Sequence, residues 1–312
     1  MSPGRAGAPP TVPFFRGVAP GGASLELFLE DCRTGLVRRL AEGSVDVVVT
    51  SPPYNLGVPY GAYDDRRPRE SYLAFLGEVA GAIEKALSDR GSFFLNISGA
   101  PKDPWLPWDA ARKIHERFEL QNVVHWIKSV AIGHAHAGQR AGLTQDLAVG
   151  HYKPVHSDRF LHGAHEYVFH FTRRGDVPLD RLAIGVPYQD ASNVGRWQAS
   201  ASGLRCRGNT WFLPYPTIRR RATDRPHPAT FPPELAEWCL KLHGLSRVRR
   251  AVDPFLGIGA SALAAARLGV PFVGFEIDAG YLATARDRLT KEGVRPVPAA
   301  RRAGPRPRRG TG

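Results

Sequence analysis

Val45-Asp46-Val47-Val48-Val49-Thr50-Ser51-Pro52-Pro53-Tyr54 is the stretch that decides the architecture. Its first six residues form a β-rich, largely apolar run, which reads as a strand buried on both faces in a parallel sheet. Two prolines then end it, because neither can donate to a ladder and each restricts the residue before it. The outcome is a rigid turn at the carboxyl end of a strand, where open α/β sheets place their ligands. Ser51, the Pro52 carbonyl and the Tyr54 ring would stand at fixed positions around a small polar group.

Outward from this turn, strand and helix patterns alternate. Strands are expected over 24–30, 92–98 and 120–128, and helices over 33–42, 70–87 and 107–117. In the helix over 70–87, Leu73, Leu76, Val79, Ala80, Ile83 and Leu87 recur at helical spacing. Alternation resumes at 232–242 (helix), 249–252 (strand), 261–268 (helix), 271–277 (strand) and 279–289 (helix). This pattern predicts a doubly wound, mostly parallel α/β sheet with helices on both faces. Between the two halves lies an irregular stretch rich in Gly, His, Arg and aromatic residues, with one clear strand at 166–171. The expected organisation is a catalytic core over 24–128 and 226–291, an inserted recognition region over 129–225, and disordered tails over 1–23 and 292–312.

A second motif, Val252-Asp253-Pro254-Phe255-Leu256-Gly257-Ile258-Gly259-Ala260, falls between a strand and a helix. Gly257 and Gly259 let the backbone turn tightly and approach a ligand. Glu276, 23 positions after Asp253, ends the next strand, where an acid can accept from both ribose hydroxyls of a nucleoside. The loop matches neither phosphate-cradling glycine pattern, and Asp253 would repel a pyrophosphate. It would attract a cationic amino-acid moiety, such as the ammonium of S-adenosylmethionine.

Ser51-Pro52-Pro53-Tyr54, Asp253-Pro254-Phe255-x-Gly257-x-Gly259 and Glu276 together resemble the signatures of amino-group DNA methyltransferases. The order of motifs resembles that of their permuted β group, and the likeness runs from about residue 25 to 289. Asp31-Cys32, Asn55-Leu56-Gly57, Trp126-Ile127-Lys128 and His227-Pro228-Ala229-x-Phe231-Pro232 are also similar. Ile258 and Ala260-Ser261 depart from the family, which usually has Ser and Thr-Thr there. The resemblance implies a Rossmann-like, circularly permuted class I methyltransferase fold with S-adenosylmethionine as cofactor. Serine at the head of the turn is typical of the family's N4-cytosine enzymes, and aspartate of its N6-adenine enzymes. By the same resemblance, Asp31 would meet the cofactor's adenine amino group and His227 would lie near its methionine end. As plain structure, Asp31 would cap the helix beginning at Arg33, and His227 would belong to a loop.

The chemistry implied is direct. The lone pair of a cytosine N4 amine is delocalised into the ring. Accepting its two N–H bonds on Ser51 Oγ and the Pro52 carbonyl would localise that lone pair for in-line transfer. The base would have to leave the duplex, and Tyr54 could stack on it. Net charge is +13, of which six arginines from 295 onward supply +6 and the body +7. That excess favours a polyanion, here double-stranded DNA. Arg205, Arg207, Arg219, Arg220, Arg221 and Arg225 lie among Trp197, Trp211, Phe212 and Tyr215, a composition suited to phosphate anchoring. Histidines 134, 136, 151, 156, 162, 165 and 170 are irregularly spaced, and no metal is expected. Three scattered cysteines predict no disulfide framework, and no apolar span reaches membrane length. The expected setting is cytoplasmic and nucleoid-associated, as monomer or homodimer, with a cognate restriction endonuclease as a partner the chemistry does not require. Rival readings are an N6-adenine methyltransferase on the same scaffold, a silent DNA-binding protein, and transfer to structured RNA.

Overall fold

A computed structural model describes residues 12–135, 140, 142–150, 157–188, 203–214 and 230–298. In chain order the elements of the main sheet and its helices are β1 (Phe15–Val18), β2 (Ser24–Leu29), α1 (Cys32–Arg39), β3 (Val45–Thr50), α2 (Arg69–Ala86), β4 (Leu87–Ile97), α3 (Leu106–His115) and β5 (Glu119–Ile127). There follow the hairpin β6 (Ser129–Ile132) and β7 (Leu147–Gly150), then β8 (His165–Thr172), the short pair β9 (Val186–Pro187) and β10 (Leu204–Arg205), and β11 (Thr210–Phe212). The chain closes with α4 (Pro233–His243), β12 (Ala251–Asp253), α5 (Ala260–Leu268), β13 (Phe272–Glu276), α6 (Ala279–Lys291) and β14 (Arg295–Pro296).

Ten strands form one sheet in the order β11-β5-β8-β4-β3-β12-β13-β2-β1-β14. The centre, from β4 to β2, is parallel throughout. β8 runs antiparallel to both its neighbours, and β1 is antiparallel to β2 and to the edge strand β14. Helices α1–α3 pack on one face and α4–α6 on the other, each over its own apolar cluster. All six residues of β3 are buried, with Val47 and Val49 facing one cluster and Val48 the other. Each such side chain contributes about 1.5–3 kcal/mol by leaving water.

β3 is tied to β12 at both ends. At the amino end the buried Asp46 accepts from Arg249 Nη2 at 2.8 Å and Nε at 3.0 Å, which explains an acid inside an apolar run. At the carboxyl end Thr50 Oγ1 donates to Asp253 Oδ1 at 2.6 Å.

Three boundaries differ from the sequence reading; the first is at residue 292, since 295–296 form β14 on β1 and do not belong to a disordered tail. Residues 15–18 are not part of a disordered tail: β1 pairs with β2 from Phe15↔Leu27 to Val18↔Ser24, and with β14 through Gly17↔Pro296. Phe15 and Val294 are buried there, apolar anchors that the surrounding Gly and Pro hid. The inserted region is likewise not separate from the core. β8 fills the place between β4 and β5, and β11 extends the sheet beside β5. Among the described residues, no helix is long and apolar enough to cross a membrane.

Candidate active site

The two sequence motifs leave neighbouring strands on the same edge of the sheet, since Val48 of β3 lies beside Val252 of β12. A cavity opens between them. Ser51, Pro52 and Pro53 form one wall, and Pro254, Phe255, Gly257 and Ile258 form another. Asp31, after β2, and Glu276, the last residue of β13, close the far side. The turn after β12 needs its glycines: Gly257 and Gly259 have φ of 53° and 79°, a region costly for other residues. A Cβ on Gly259 would also stand 3.0 Å from that of Ala285, so this glycine seats α5 against α6.

The segment after Tyr54 is folded by its own polar groups. Asp65 is 2% exposed and accepts from the backbone N–H of Asn55, Leu56 and Val58 at 2.8, 3.1 and 3.0 Å. Burial raises its pKa, and these N–H groups oppose the rise. Asn55, at φ 58°, exchanges two side-chain bonds with the Arg67 backbone at 2.7 and 2.8 Å. Tyr60, Tyr63 and Asp64 are thereby held at the cavity.

Behind Ser51 lies a hydrogen-bonded cluster. Ser51 Oγ is 2.8 Å from the Tyr54 hydroxyl, which donates to Glu166 Oε2 at 3.0 Å. Asn96 Nδ2 donates to the Tyr54 hydroxyl at 2.7 Å and to Glu166 Oε2 at 2.8 Å. Lys128 Nζ holds the other carboxylate oxygen at 3.0 Å. A phenol has one proton, and Tyr54 spends it on Glu166. Ser51 therefore donates to Tyr54, which leaves a lone pair on Ser51 Oγ to accept. The Pro53 carbonyl is taken by the Tyr72 hydroxyl at 2.7 Å. Among the described residues no donor reaches the Pro52 carbonyl.

Ser51, Pro52, Pro53, Asp31, Pro254, Phe255, Gly257 and Glu276 thus share one cavity. Others are placed differently. Asp253 is 1% exposed and lies off the cavity, so it does not face a ligand ammonium. Its oxygens accept from Thr50 Oγ1 (2.6 Å), the Phe255 N–H (2.9 Å) and Ser261 Oγ (2.5 Å). Burial pushes its pKa up to about 6 despite those donors. Ser261, one of the departures from the family pattern, thus keeps the needed hydroxyl. Tyr54 packs against the core with its hydroxyl turned inward, and it does not line the cavity. Asp31 takes the capping role and also lies at the cavity: its Oδ1 accepts from the Arg33 N–H at 2.8 Å at the start of α1. Glu276 Oε1 accepts from the Ile277 and Asp278 N–H, and Oε2 from that of Gly257 at 2.8 Å. With about four lone-pair sites on a carboxylate, one remains on Oε2 for a ribose hydroxyl rather than the two expected.

Arg205 is exposed on β10. Arg207 is partly engaged inside the fold: its guanidinium lies 4.1 Å from the Trp238 ring centroid, and Nε donates to the Ile184 carbonyl at 2.9 Å. Arg219, Arg220, Arg221, Arg225 and His227 lie outside the described residues. Sequence reasoning assigned no role to Asn96, Lys128 or Glu166. The signal available was a polar residue inside an apolar strand, as in Phe93-Phe94-Leu95-Asn96-Ile97 and His165-Glu166-Tyr167-Val168.

The cavity suits a cationic nucleoside. It carries the carboxylates of Asp31, Glu276 and Asp278 between aromatic and apolar walls. Its two arginines are engaged: Arg33 with Asp31 and Glu78, and Arg67 over the Tyr63 ring at 4.5 Å.

The model of a family described as DNA methylase, covering N6 and N4 enzymes, matches residues 45–287. The Type II methyltransferase M.HpaI of Haemophilus parainfluenzae is 25% identical over 259 residues, spanning 82% of this chain and 71% of that protein. Among solved structures, the PvuII DNA methyltransferase (cytosine-N4-specific) superposes with a TM-score of 0.58 at 17% identity, covering 89% of this chain and 94% of the other. A DNA modification methylase of Thermus thermophilus, solved with S-adenosyl-L-methionine and itself assigned only provisionally, has a TM-score of 0.52 at 21% identity, covering 85% and 93%.

Proposed function

The chain belongs to the N6/N4 DNA methylase family, and from that membership we propose that it methylates the N4 amino group of cytosine in duplex DNA. S-adenosylmethionine, when bound, supplies an electrophilic methyl group on a sulfonium. Phe255, Ile258, Asp31 and Glu276 would hold it, Asp31 toward the adenine amine and Glu276 toward one ribose hydroxyl.

The choice of cytosine rests on serine at the head of the turn, and the observation that carries amino-group methylation is the hydrogen-bond polarity at Ser51. Its proton is committed to Tyr54, so Oγ presents a neutral acceptor to one amine N–H, and the Pro52 carbonyl takes the other. Withdrawing both hydrogens from the ring plane turns the nitrogen lone pair toward the methyl donor, a gain from positioning and electrostatics. Arg205 and the region 129–225 would contact the DNA, with the base flipped out to reach Ser51. We place the enzyme in a restriction-modification pair, as the Type II name of M.HpaI suggests; the partner endonuclease is part of the proposal.

The test is to incubate the protein with cofactor and plasmid DNA from a methylation-free host, digest to nucleosides, and weigh them. N4-methylcytosine is expected, and Ser51→Ala should abolish it. N6-methyladenine in its place would overturn the base assignment. Intact cofactor and DNA binding with no methylated base would overturn the enzyme reading itself.

A further inference from the structure

We propose that Glu166 is a positioning residue for the transfer, acting through Tyr54 on Ser51 and receiving the proton that the target amine must lose. The inference rests on the methyl-transfer reading above. When the amine nitrogen gains a methyl group it becomes cationic, and one N–H bond must break to give the neutral product. The geometry supplies a path for that proton. As the amine proton passes to Ser51 Oγ, the Ser51 proton passes to the Tyr54 oxygen 2.8 Å away, and the Tyr54 proton to Glu166 Oε2 at 3.0 Å. Both hydroxyls end neutral, the carboxylate ends protonated, and atoms and charge balance.

Three strands fix this carboxylate. Glu166 is the second residue of β8, Asn96 comes from β4 and donates at 2.8 Å, and Lys128 follows β5 and neutralises the charge at 3.0 Å. Only 13% of the Glu166 side chain is exposed, so it is not a solvated surface acid. A purely structural ion pair would need only Lys128. The second oxygen is instead directed onto the phenol that orients the serine. The titratable groups facing Glu166 are Lys128 and Tyr54. His165 is next along β8, with His125 of β5 at 5.4 Å from it, and Tyr60 lies close to Tyr54.

Glu166→Gln, Tyr54→Phe and the double variant of the full chain test the proposal with saturating cofactor and plasmid DNA. Each single change should lower kcat about 100-fold, the scale of a positioned proton acceptor. KM for DNA and cofactor, and both affinities measured by direct titration, should stay within about threefold. The double variant should be no slower than the slower single one, because both interrupt one path. Multiplying losses, kcat in Glu166→Gln above a third of wild type, or a loss confined to KM would overturn the proposal. If Glu166→Gln fails to fold by urea midpoint, Tyr54→Phe decides alone by the same kcat criterion. A wild type that methylates DNA beside equally fast variants sinks only the relay. A wild type with no product sinks the methyl-transfer reading, and the relay with it.

Discussion

Replacing Thr50 with valine keeps a β-branched side chain of the same shape and removes one donor, the hydroxyl 2.6 Å from Asp253 Oδ1. The cost depends on the charge of the acceptor. Asp253 has a folded pKa of about 6 against an ordinary 3.8, raised chiefly by burial. Such a group adds stability that is fully present below the unfolded value and lost as pH rises through about 6. At pH 8 the carboxyl is ionised, and a hydrogen bond to a charged acceptor is worth about 1.5–3 kcal/mol. The Phe255 N–H and Ser261 Oγ still reach the carboxylate at 2.9 and 2.5 Å, so the lower half of that range is expected. At pH 5 the carboxyl is mostly protonated, and the lost bond is a neutral one worth about 0.5–1.5 kcal/mol. Thr50→Val should therefore cost about 1 kcal/mol more at pH 8 than at pH 5, read from urea unfolding of both proteins at each pH. Ser261→Ala should show the same trend. A penalty equal at the two pH values, or larger at pH 5, would refute this account of the Asp253 cluster.

Other consequences follow from buried and stacked groups. Burial lowers His170 to about 3 and His243 to about 4, with both rings bonded to Ser92 Oγ at 2.9 Å. Their stabilisation is fully present above 6.5 and lost as pH falls through those values, so the wild-type urea midpoint should drop more between pH 7 and 4 than that of His243→Gln. Equal drops would remove His243 from this explanation. Arg207→Ala should lower stability by about 1–2 kcal/mol through the lost Trp238 and Ile184 contacts, while DNA affinity at fixed salt stays within about twofold. A large loss of DNA affinity with an unchanged urea midpoint would return Arg207 to the DNA surface. Glu276→Gln should weaken cofactor binding about 10- to 100-fold by calorimetry, the scale of one charged hydrogen bond. An unchanged affinity would remove Glu276 from the cofactor site.

The sequence made the scaffold legible where a single period ran long enough. The buried run 45–50, the helical spacing in 70–87 and the glycine turn at 257–259 each carried their own signal. It concealed what arises from pairing across the sheet. Phe15–Val18 is four residues among glycines and prolines, and its burial comes from pairing with β2 and from the apolar cluster that holds Leu27 and Val294. Asp253 looked like a ligand group because its residue type fits one, and the Thr50 hydroxyl that satisfies it lies 203 positions away. Glu166 was hidden for the same reason: its meaning depends on Tyr54, in the turn after β3, and Asn96, on β4. Arg207 shows the converse, a charge whose local sequence suggests phosphate and whose actual neighbour is an indole face.

The reversed direction of β8 has a further consequence. Ile127 pairs with His165, and the Lys128 N–H donates to the Ala164 carbonyl at 2.8 Å. The chain between them therefore departs and returns through one narrow neck, with Lys128 on one bank and Glu166 on the other. Whatever lies beyond that neck can lengthen or be exchanged at little cost, since doubling a loop adds only about 0.6 kcal/mol of closure entropy. Changes of length beyond the neck would leave the Lys128–Glu166 ion pair in place.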